Sequence, residues 1–470
     1  MLPLTDLPPI TPHTAGGEVP LADQASLVLR AGRMGTVLPH MGWVLRFPTR
    51  ISVEELTAEA ERLAASPYAL GRRVQPRRVP GGRRRWVATP VPPPVRLAPR
   101  PVDSDALAGW LDGELPTPLD PEHGHGWLVT AAHTTDGGTV VLVIVHHLYG
   151  IAPGVLEAAY GDGSVDPRDG TVGLTFQAHE RYELRQELRS VVERLVLGVR
   201  GAGRMTGDAL RAAASRDSAA KAPVTDPPPI PNPRGRDRTR RSPGPARSGV
   251  IAEFSAEEWD TRAAELGGTG NTLLAAIAAN MVRRGRVGRG GDVDRPVRLV
   301  LPIDLGADAV GERRDGALGV RPNMVTASLV LPGGPPQYGD LTVTRRWMKA
   351  AFVADAATAP PVRGFNDAAR LLPEALAIRF AERAALSFDA CASNPGAMPA
   401  GVRRLGRHTA TSAATMGWPI ALDLIAALSR GPDSVGITVV GDPSRLGPGA
   451  DVRGWLGDEL RGWGLRGGRW

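Results

Sequence analysis

The segment Val140-Val141-Leu142-Val143-Ile144-Val145-His146-His147-Leu148-Tyr149-Gly150 carries an unbroken apolar run into two adjacent imidazoles and a glycine-containing loop. An imidazole titrates near neutrality, so it is suited to taking a proton from a hydroxyl or an amine. Neighbouring side chains on an extended chain point to opposite faces, so one histidine can face a cavity while the other faces the core or the next layer. Two readings compete: structural histidines at a strand end, and a general base held at the entrance to a loop. The buried-type strand leading directly into the loop favours the base.

No other constellation is as well formed. The chain lacks a Gly-x-Ser-x-Gly elbow, a P-loop and a His-Glu-x-x-His zinc motif. His123-Gly124-His125 sits in a Gly/Pro-rich turn with no third metal ligand nearby and is read as a surface loop. Gly267 to Asn271 would hold a phosphate only if a strand preceded it, and it is read as a helix junction. Cys391 is the lone cysteine, which excludes an internal disulfide or a Cys-based zinc site; it is read as buried and inert.

Several elements must position the histidines. Residues 127–131 and 139–145 read as two strands joined by an Asp136-Gly137-Gly138 turn. Ser52 and Glu55 form a capping box, with Ile51 as a staple, ahead of a helix over 53–65. Gly81 to Trp86 reads as an arginine-rich turn entering a strand. Over 178–200, Leu184, Leu188, Val191, Leu195 and Val199 recur at helical spacing, which predicts a helix with this stripe packed in the core. The second half restarts with a capping box at Ser255 and Glu258. Asn271 is expected to cap a helix from Leu273 to Arg284. Strands are expected at 297–302, 324–331 and 435–440, and helices at 371–386 and 451–462.

These elements divide the chain into a loose N-terminus (1–20), an N-terminal lobe carrying the histidines (21–216), a Pro/Arg-rich linker (217–247) and a C-terminal lobe (248–470). The 470 residues are 42% hydrophobic and 22% charged, which is ordinary globular composition. The net charge is +7, but Lys221 and Lys349 are the only lysines, so the excess is arginine. With aromatics at 5%, stacking platforms for nucleic acid are not expected, whereas an anionic co-substrate is compatible with the charge. Clean apolar runs such as Val140 to Val145 fall far short of the roughly 20 residues of a membrane span. No secretory signal pattern is visible, and a reducing cytoplasm fits the cysteine usage.

The histidine segment resembles the HHxxxDG motif of condensation domains, wax ester synthases and related CoA-dependent acyltransferases. Here the run is HHLYGIA over 146–152, so both histidines match while the Asp and Gly positions hold Ile151 and Ala152. Pro118-Leu119-Asp120, Trp127-Leu128-Val129 and Gly137-Gly138-Thr139 resemble the approach to that motif in the actinobacterial wax ester synthase-like group. In the second half, Gly267 to Leu274, Leu301-Pro302-Ile303-Asp304-Leu305, Asn323 to Pro332 and Ser393-Asn394-Pro395-Gly396 are similar to later motifs of that group. Pro322 stands where a glycine is usual, and the last loop is one residue short. The resemblance spans roughly residues 21 to 465.

What the resemblance implies is an α/β fold of two chloramphenicol-acetyltransferase-like lobes forming a pseudo-dimer with an active-site tunnel between them. An acyl group would pass from a thioester, on coenzyme A or on the phosphopantetheine of an acyl-carrier protein, to a small-molecule alcohol or amine. No cofactor would be permanently bound. His147 would be the base, and His146 would orient the loop from the core side. The tetrahedral oxyanion needs a hydrogen-bond donor; candidates are the N–H groups of 148–152 and the side chains of Asn271 and Ser393. Asn394, Asn323, Tyr149 and Gly150 complete the expected substrate contacts. The motif's Asp is thought to hold the loop by pairing with an arginine. With Ile151 in its place, that arginine is expected to be absent or turned to solvent, with apolar packing instead. The alternative is a fold that has lost transfer and either binds only or promotes cyclisation, dehydration or epimerisation of one substrate.

Overall fold

The computed structural model describes residues 19–21, 40–65, 70–77, 84–149, 248–304, 324–353, 388–417, 422–447 and 449–469, together with isolated positions between them. The linker at 217–247 and the helix expected at 371–386, Leu376 excepted, lie outside the described residues.

Two sheets organise the chain. The first half supplies β1 (Val19–Pro20), β2 (His40–Phe47), β3 (Arg72–Gln75), β4 (Arg85–Ala88), β5 (Arg96–Leu97), β6 (Trp127–His133) and β7 (Thr139–His146), with helices α1 (Val53–Ala65) and α2 (Ser104–Glu114). The second half supplies β8 (Ser248–Ser255), α3 (Ala256–Glu265), α4 (Gly270–Gly288), β9 (Val297–Asp304), β10 (Met324–Leu331) and β11 (Ala390–Ser393). After these come β12 (Arg404–Leu405), β13 (His408–Thr409), β14 (Ser412–Gly417), β15 (Leu424–Arg430) and β16 (Ser434–Gly441). The chain closes with α5 (Pro443–Leu446), α6 (Val452–Gly462) and β17 (Gly468–Arg469).

One sheet has the order β14-β2-β7-β6-β5 and the other β10-β9-β11-β15-β16-β8-β17; a small third sheet, β1-β4-β3, flanks the first. β14 comes from the second half yet pairs antiparallel with β2, from Ser412 opposite Arg46 to Gly417 opposite Met41. Met398, Val402, Leu405, Ala410 and Ala413 accompany it into the first-half core. The stretch read from sequence as the C-terminal lobe thus also supplies a strand to the first-half sheet.

β7 lies in the middle of its sheet and is buried along its whole length. Val141, Val143 and Val145 pack on the first-half core. Val140, Leu142 and Ile144 face a seam shared with Leu107 and Leu111 of α2, Ile251 of β8 and Val440 of β16. Both faces of the strand are covered, so its sequence is continuously apolar instead of alternating. The β6–β7 turn closes through Gly137, whose φ of 92° is left-handed backbone that glycine adopts without strain.

The first expected capping box forms in full, and the second in its Ser255 half only, since Glu258 Oε1 accepts from Arg466 N. Glu55 N donates to Ser52 Oγ (3.2 Å) while Ser52 N donates to Glu55 Oε2 (3.0 Å), and Ser255 Oγ accepts from Glu258 N at 3.0 Å. Two expectations fail. The cap of α4 is Thr269, in a reciprocal box with Thr272, because this hydroxyl precedes the first helical residue whereas Asn271 already lies inside the helix. In the 178–200 stripe, Leu188, Leu195 and Val199 are exposed (51–64%) and Val191 is half-buried, whereas core packing was expected. Helical spacing identifies an apolar face, but tertiary contacts decide whether anything covers it. Leu184 lies outside the described residues.

Candidate functional site

The strand ends at His146, and His147, Leu148 and Tyr149 form one turn of 3-10 helix. Strand alternation therefore does not itself separate the two histidines; the change from strand to turn does. His146 is buried, at 3% exposure, whereas His147 is half-buried.

His146 is chemically locked. Its Nδ1 accepts the Leu148 N–H at 3.1 Å, which places the proton of the neutral ring on Nε2. Burial, reinforced by neighbouring His40 and His147, lowers its pKa to about 3. Burial also lowers the pKa of His147, partly offset by a hydrogen bond to its own backbone. At neutral pH His147 is thus an uncharged imidazole, the form that accepts a proton.

Tyr149, expected as a substrate contact, is instead part of the core. It is 1% exposed, its hydroxyl donates to the Arg72 carbonyl (2.7 Å), and its ring lies 5.1 Å from that of Trp86. Arg72 is buried against this turn, its Nη2 donating to the Tyr149 carbonyl at 3.1 Å. Its guanidinium lies 4.6 Å from the centroid of Trp86, so the planar cation packs on a ring despite burial that lowers its pKa to about 10. The Leu148 N–H is committed to His146 and drops out as an oxyanion donor. Gly150, Ile151, Ala152 and Asn323 lie outside the described residues.

The other sheet gathers a second group of expected site residues. Asn394 Nδ2 donates to Asn271 Oδ1 at 2.5 Å, and Asn394 Oδ1 accepts from Gly396 N at 2.9 Å. This links the first turn of α4 to the loop after β11, with half-buried Ser393 immediately before it. Among the described residues, no hydrogen bond joins this group to the His146–Tyr149 turn. A cavity of about 530 Å³ at the junction of β2, β8 and β14 is lined by Arg46, Glu253, Glu258, Ser412 and Ser434, and by no residue of either group. Cys391 is buried, which pushes its thiol up to about 12 and keeps it protonated and inert. Among the described residues no group of three or more His, Cys, Asp or Glu is placed to hold a metal, and no helix is long and apolar enough to cross a membrane.

Sequence reasoning missed Arg72, Trp86 and His40. The only signal for Arg72 was an arginine on a short strand bounded by buried apolar positions, which is weak because most strand arginines are solvated.

No family model matches the chain, and no curated protein matches it. Solved structures do. The wax ester synthase/diacylglycerol acyltransferase from Marinobacter aquaeolei VT8 superposes with a TM-score of 0.54 at 14% identity, over 95% of this chain and 98% of that one. The first condensation domain of the calcium-dependent antibiotic synthetase, in complex with a substrate analogue, gives 0.52 at 16% identity over 95% and 96%. A further structure of the first condensation domain of the CDA synthetase gives 0.51 at 14% over 94% of each chain. The chain has the two-lobed α/β fold of wax ester synthases and condensation domains along nearly its whole length.

Proposed function

We propose that this protein is an acyltransferase that moves an acyl group from a thioester, on coenzyme A or on a carrier protein, to an alcohol or amine. One observation carries the reading: an uncharged imidazole on a half-buried residue, His147, sits at the end of the central strand of a fold shared with an acyltransferase, beside a second histidine that is locked. His147 takes the proton of the acceptor O–H or N–H as that atom bonds to the thioester carbonyl carbon. The tetrahedral oxyanion collapses, the C–S bond breaks, and the imidazolium returns the proton to the departing thiolate. No covalent acyl-enzyme is needed. Holding both substrates between the lobes would supply much of the rate by proximity.

Asn271, Ser393 and Asn394 are assigned to substrate contact on the second-half side, with the oxyanion donor among Asn271, Ser393 and the N–H groups beyond Leu148. The departures at Ile151 and Ala152 motivate a second reading, in which the fold binds a thioester without turning it over. Incubation with a panel of acyl-CoAs, acyl-carrier proteins and acceptors, read by intact mass, separates the two. Transfer that falls by about 100-fold or more in folded His147→Ala supports the base. Undiminished transfer in that variant refutes it, and thioester binding with no product from any acceptor favours the second reading.

A further inference from the structure

Position 151 holds isoleucine, where the HHxxxDG motif that this segment resembles has an aspartate. Arg72 and Tyr149 meet through two main-chain hydrogen bonds of opposite sense. The Tyr149 hydroxyl donates to the carbonyl of Arg72 (2.7 Å), and the Arg72 guanidinium donates to the carbonyl of Tyr149 (3.1 Å). Each side chain thus fixes the other residue's backbone, across 77 positions of sequence.

The surroundings fit this pair. Val74 and Trp86 are directly opposite on β3 and β4, and Arg72 follows on the same face two residues away. That face stacks the guanidinium on Trp86 at 4.6 Å, with the Tyr149 ring centroid 5.8 Å away on its other contact. Gly126 leaves the room: a Cβ there would lie 2.4 Å from the Tyr149 hydroxyl oxygen. The 121–127 segment is tied to both partners. Val74 N donates to the Pro121 carbonyl (2.8 Å), Trp127 Nε1 to the Leu70 carbonyl (3.0 Å), and His146 N to the Gly126 carbonyl (2.9 Å). Buried donors and acceptors with defined partners resist displacement, so the turn inherits the rigidity of the β3–β4 hairpin.

We propose that Arg72 and Tyr149 are positioning residues that set the orientation of the His147 imidazole through reciprocal main-chain hydrogen bonds and ring stacking. This rests on the reading of His147 as the base. It predicts that loosening the clamp alters His147 before it alters the fold.

The test is the pH profile of diethyl pyrocarbonate modification, followed residue by residue by peptide mass spectrometry on the full chain. It compares wild type with Tyr149→Phe, Arg72→Lys and Arg72→Met. Tyr149→Phe keeps the ring and deletes one bond; Arg72→Lys keeps the charge and loses the planar fork. The clamp requires the His147 profile to shift in rate by about threefold or more in Tyr149→Phe and further in Arg72→Met, with partial return in Arg72→Lys. His408, held between Thr49 and Glu55, stays protected in folded variants and reports fold integrity. With transfer activity in hand, kcat falls by about 10- to 100-fold with little change in KM. A His147 profile that superimposes on wild type in folded Tyr149→Phe and Arg72→Met overturns the clamp. If Arg72→Met does not fold, Tyr149→Phe alone decides. Because modification is read without turnover, the clamp can stand or fall separately from the catalytic reading, which is judged on His147→Ala.

Discussion

His40 and His146 are directly opposite each other on β2 and β7, two buried imidazoles in one cross-strand pair. His40 Nδ1 donates to the Leu115 carbonyl at 2.9 Å, since a carbonyl can only accept, and His146 Nδ1 accepts from Leu148 N. The two Nδ1 atoms therefore play opposite parts, one a donor and the other an acceptor, each set by a main-chain group. Protonating either puts a charge beside its partner in a place with little water.

This gives the first prediction. The pKa of His146 is lowered to about 3 in the folded chain, against roughly 6.5 in an unfolded one. Between those values the unfolded state binds the additional proton, so stability is complete above about pH 6.5 and declines as pH falls toward 3. The slope tends to on the order of 1.4 kcal/mol per pH unit from this one group. Urea unfolding from pH 7.5 to 4 in wild type and His146→Phe checks it: the wild-type curve should fall more steeply, and parallel curves would refute it. At neutral pH His146→Phe should cost about 1–3 kcal/mol, because the Leu148 N–H loses its acceptor.

Asp112 predicts the opposite sign. From α2 it accepts the Gly249 N–H at 2.7 Å, at the start of β8, and lies 3.5 Å from the Arg453 guanidinium on α6, so it bridges the two halves. Burial, against the pull of Gly249 and Arg453, raises its pKa to about 7. The folded state therefore holds this proton more tightly than the unfolded state does, and its contribution declines as pH rises from about 4 to 7. Asp112→Asn keeps an acceptor for Gly249 and removes the titration. The variant should gain about 1–2 kcal/mol relative to wild type at pH 8 and little at pH 5, by urea unfolding at both; a wild-type-like difference between the two pH values in the variant would count against the assignment.

Asp389 is a structural hub of the second half. It accepts from Arg286 Nη2 (2.9 Å), Arg295 Nη2 (2.7 Å) and Arg298 N (2.9 Å). Arg286 is 1% exposed, so Asp389→Ala would leave a buried guanidinium without its carboxylate. The expected cost is about 3–5 kcal/mol, measured by denaturant midpoint, against about 1 kcal/mol or less for the exposed pair Arg461–Asp458 on α6 when Asp458 is truncated.

Gly42→Ala tests the packing of β2 on β7. A Cβ at position 42 would lie 2.4 Å from the Val143 carbonyl oxygen, and that backbone belongs to a strand buried on both faces. Neither strand can give without breaking ladder bonds, so a loss of about 2 kcal/mol or more is expected in thermal unfolding. Gly109→Ala on α2, where the added Cβ meets nothing within 4 Å, should be neutral or stabilising.

Much of the local structure could be read from the residues themselves. The Ser52–Glu55 capping box, the Ser255 cap, the Asp136-Gly137-Gly138 turn and the strands expected at 297–302, 324–331 and 435–440 follow from short-range hydrogen bonding and periodicity, which the sequence carries directly. The site was legible in its histidines but not in its support. Arg72 approaches Tyr149 across 77 residues, and His40 reaches His146 only through strand pairing. No spacing rule encodes such contacts. Thr269 is a local miss: its box with Thr272 spans three positions, but the cap was placed two residues late, at Asn271.

The return of β14 to β2 has a consequence for the growing polypeptide. Thr411 Oγ1 reaches the Arg46 carbonyl across 365 residues. At about 5–20 residues per second, β2 emerges from the ribosome roughly 20–70 s before its outer partner. Throughout that interval the first sheet presents an unpaired edge, flanked by Trp43 and Leu45, to every other nascent chain nearby. Severing the chain anywhere before residue 412 makes that temporary hazard permanent, so fragments ending earlier should aggregate even where they contain the entire histidine turn.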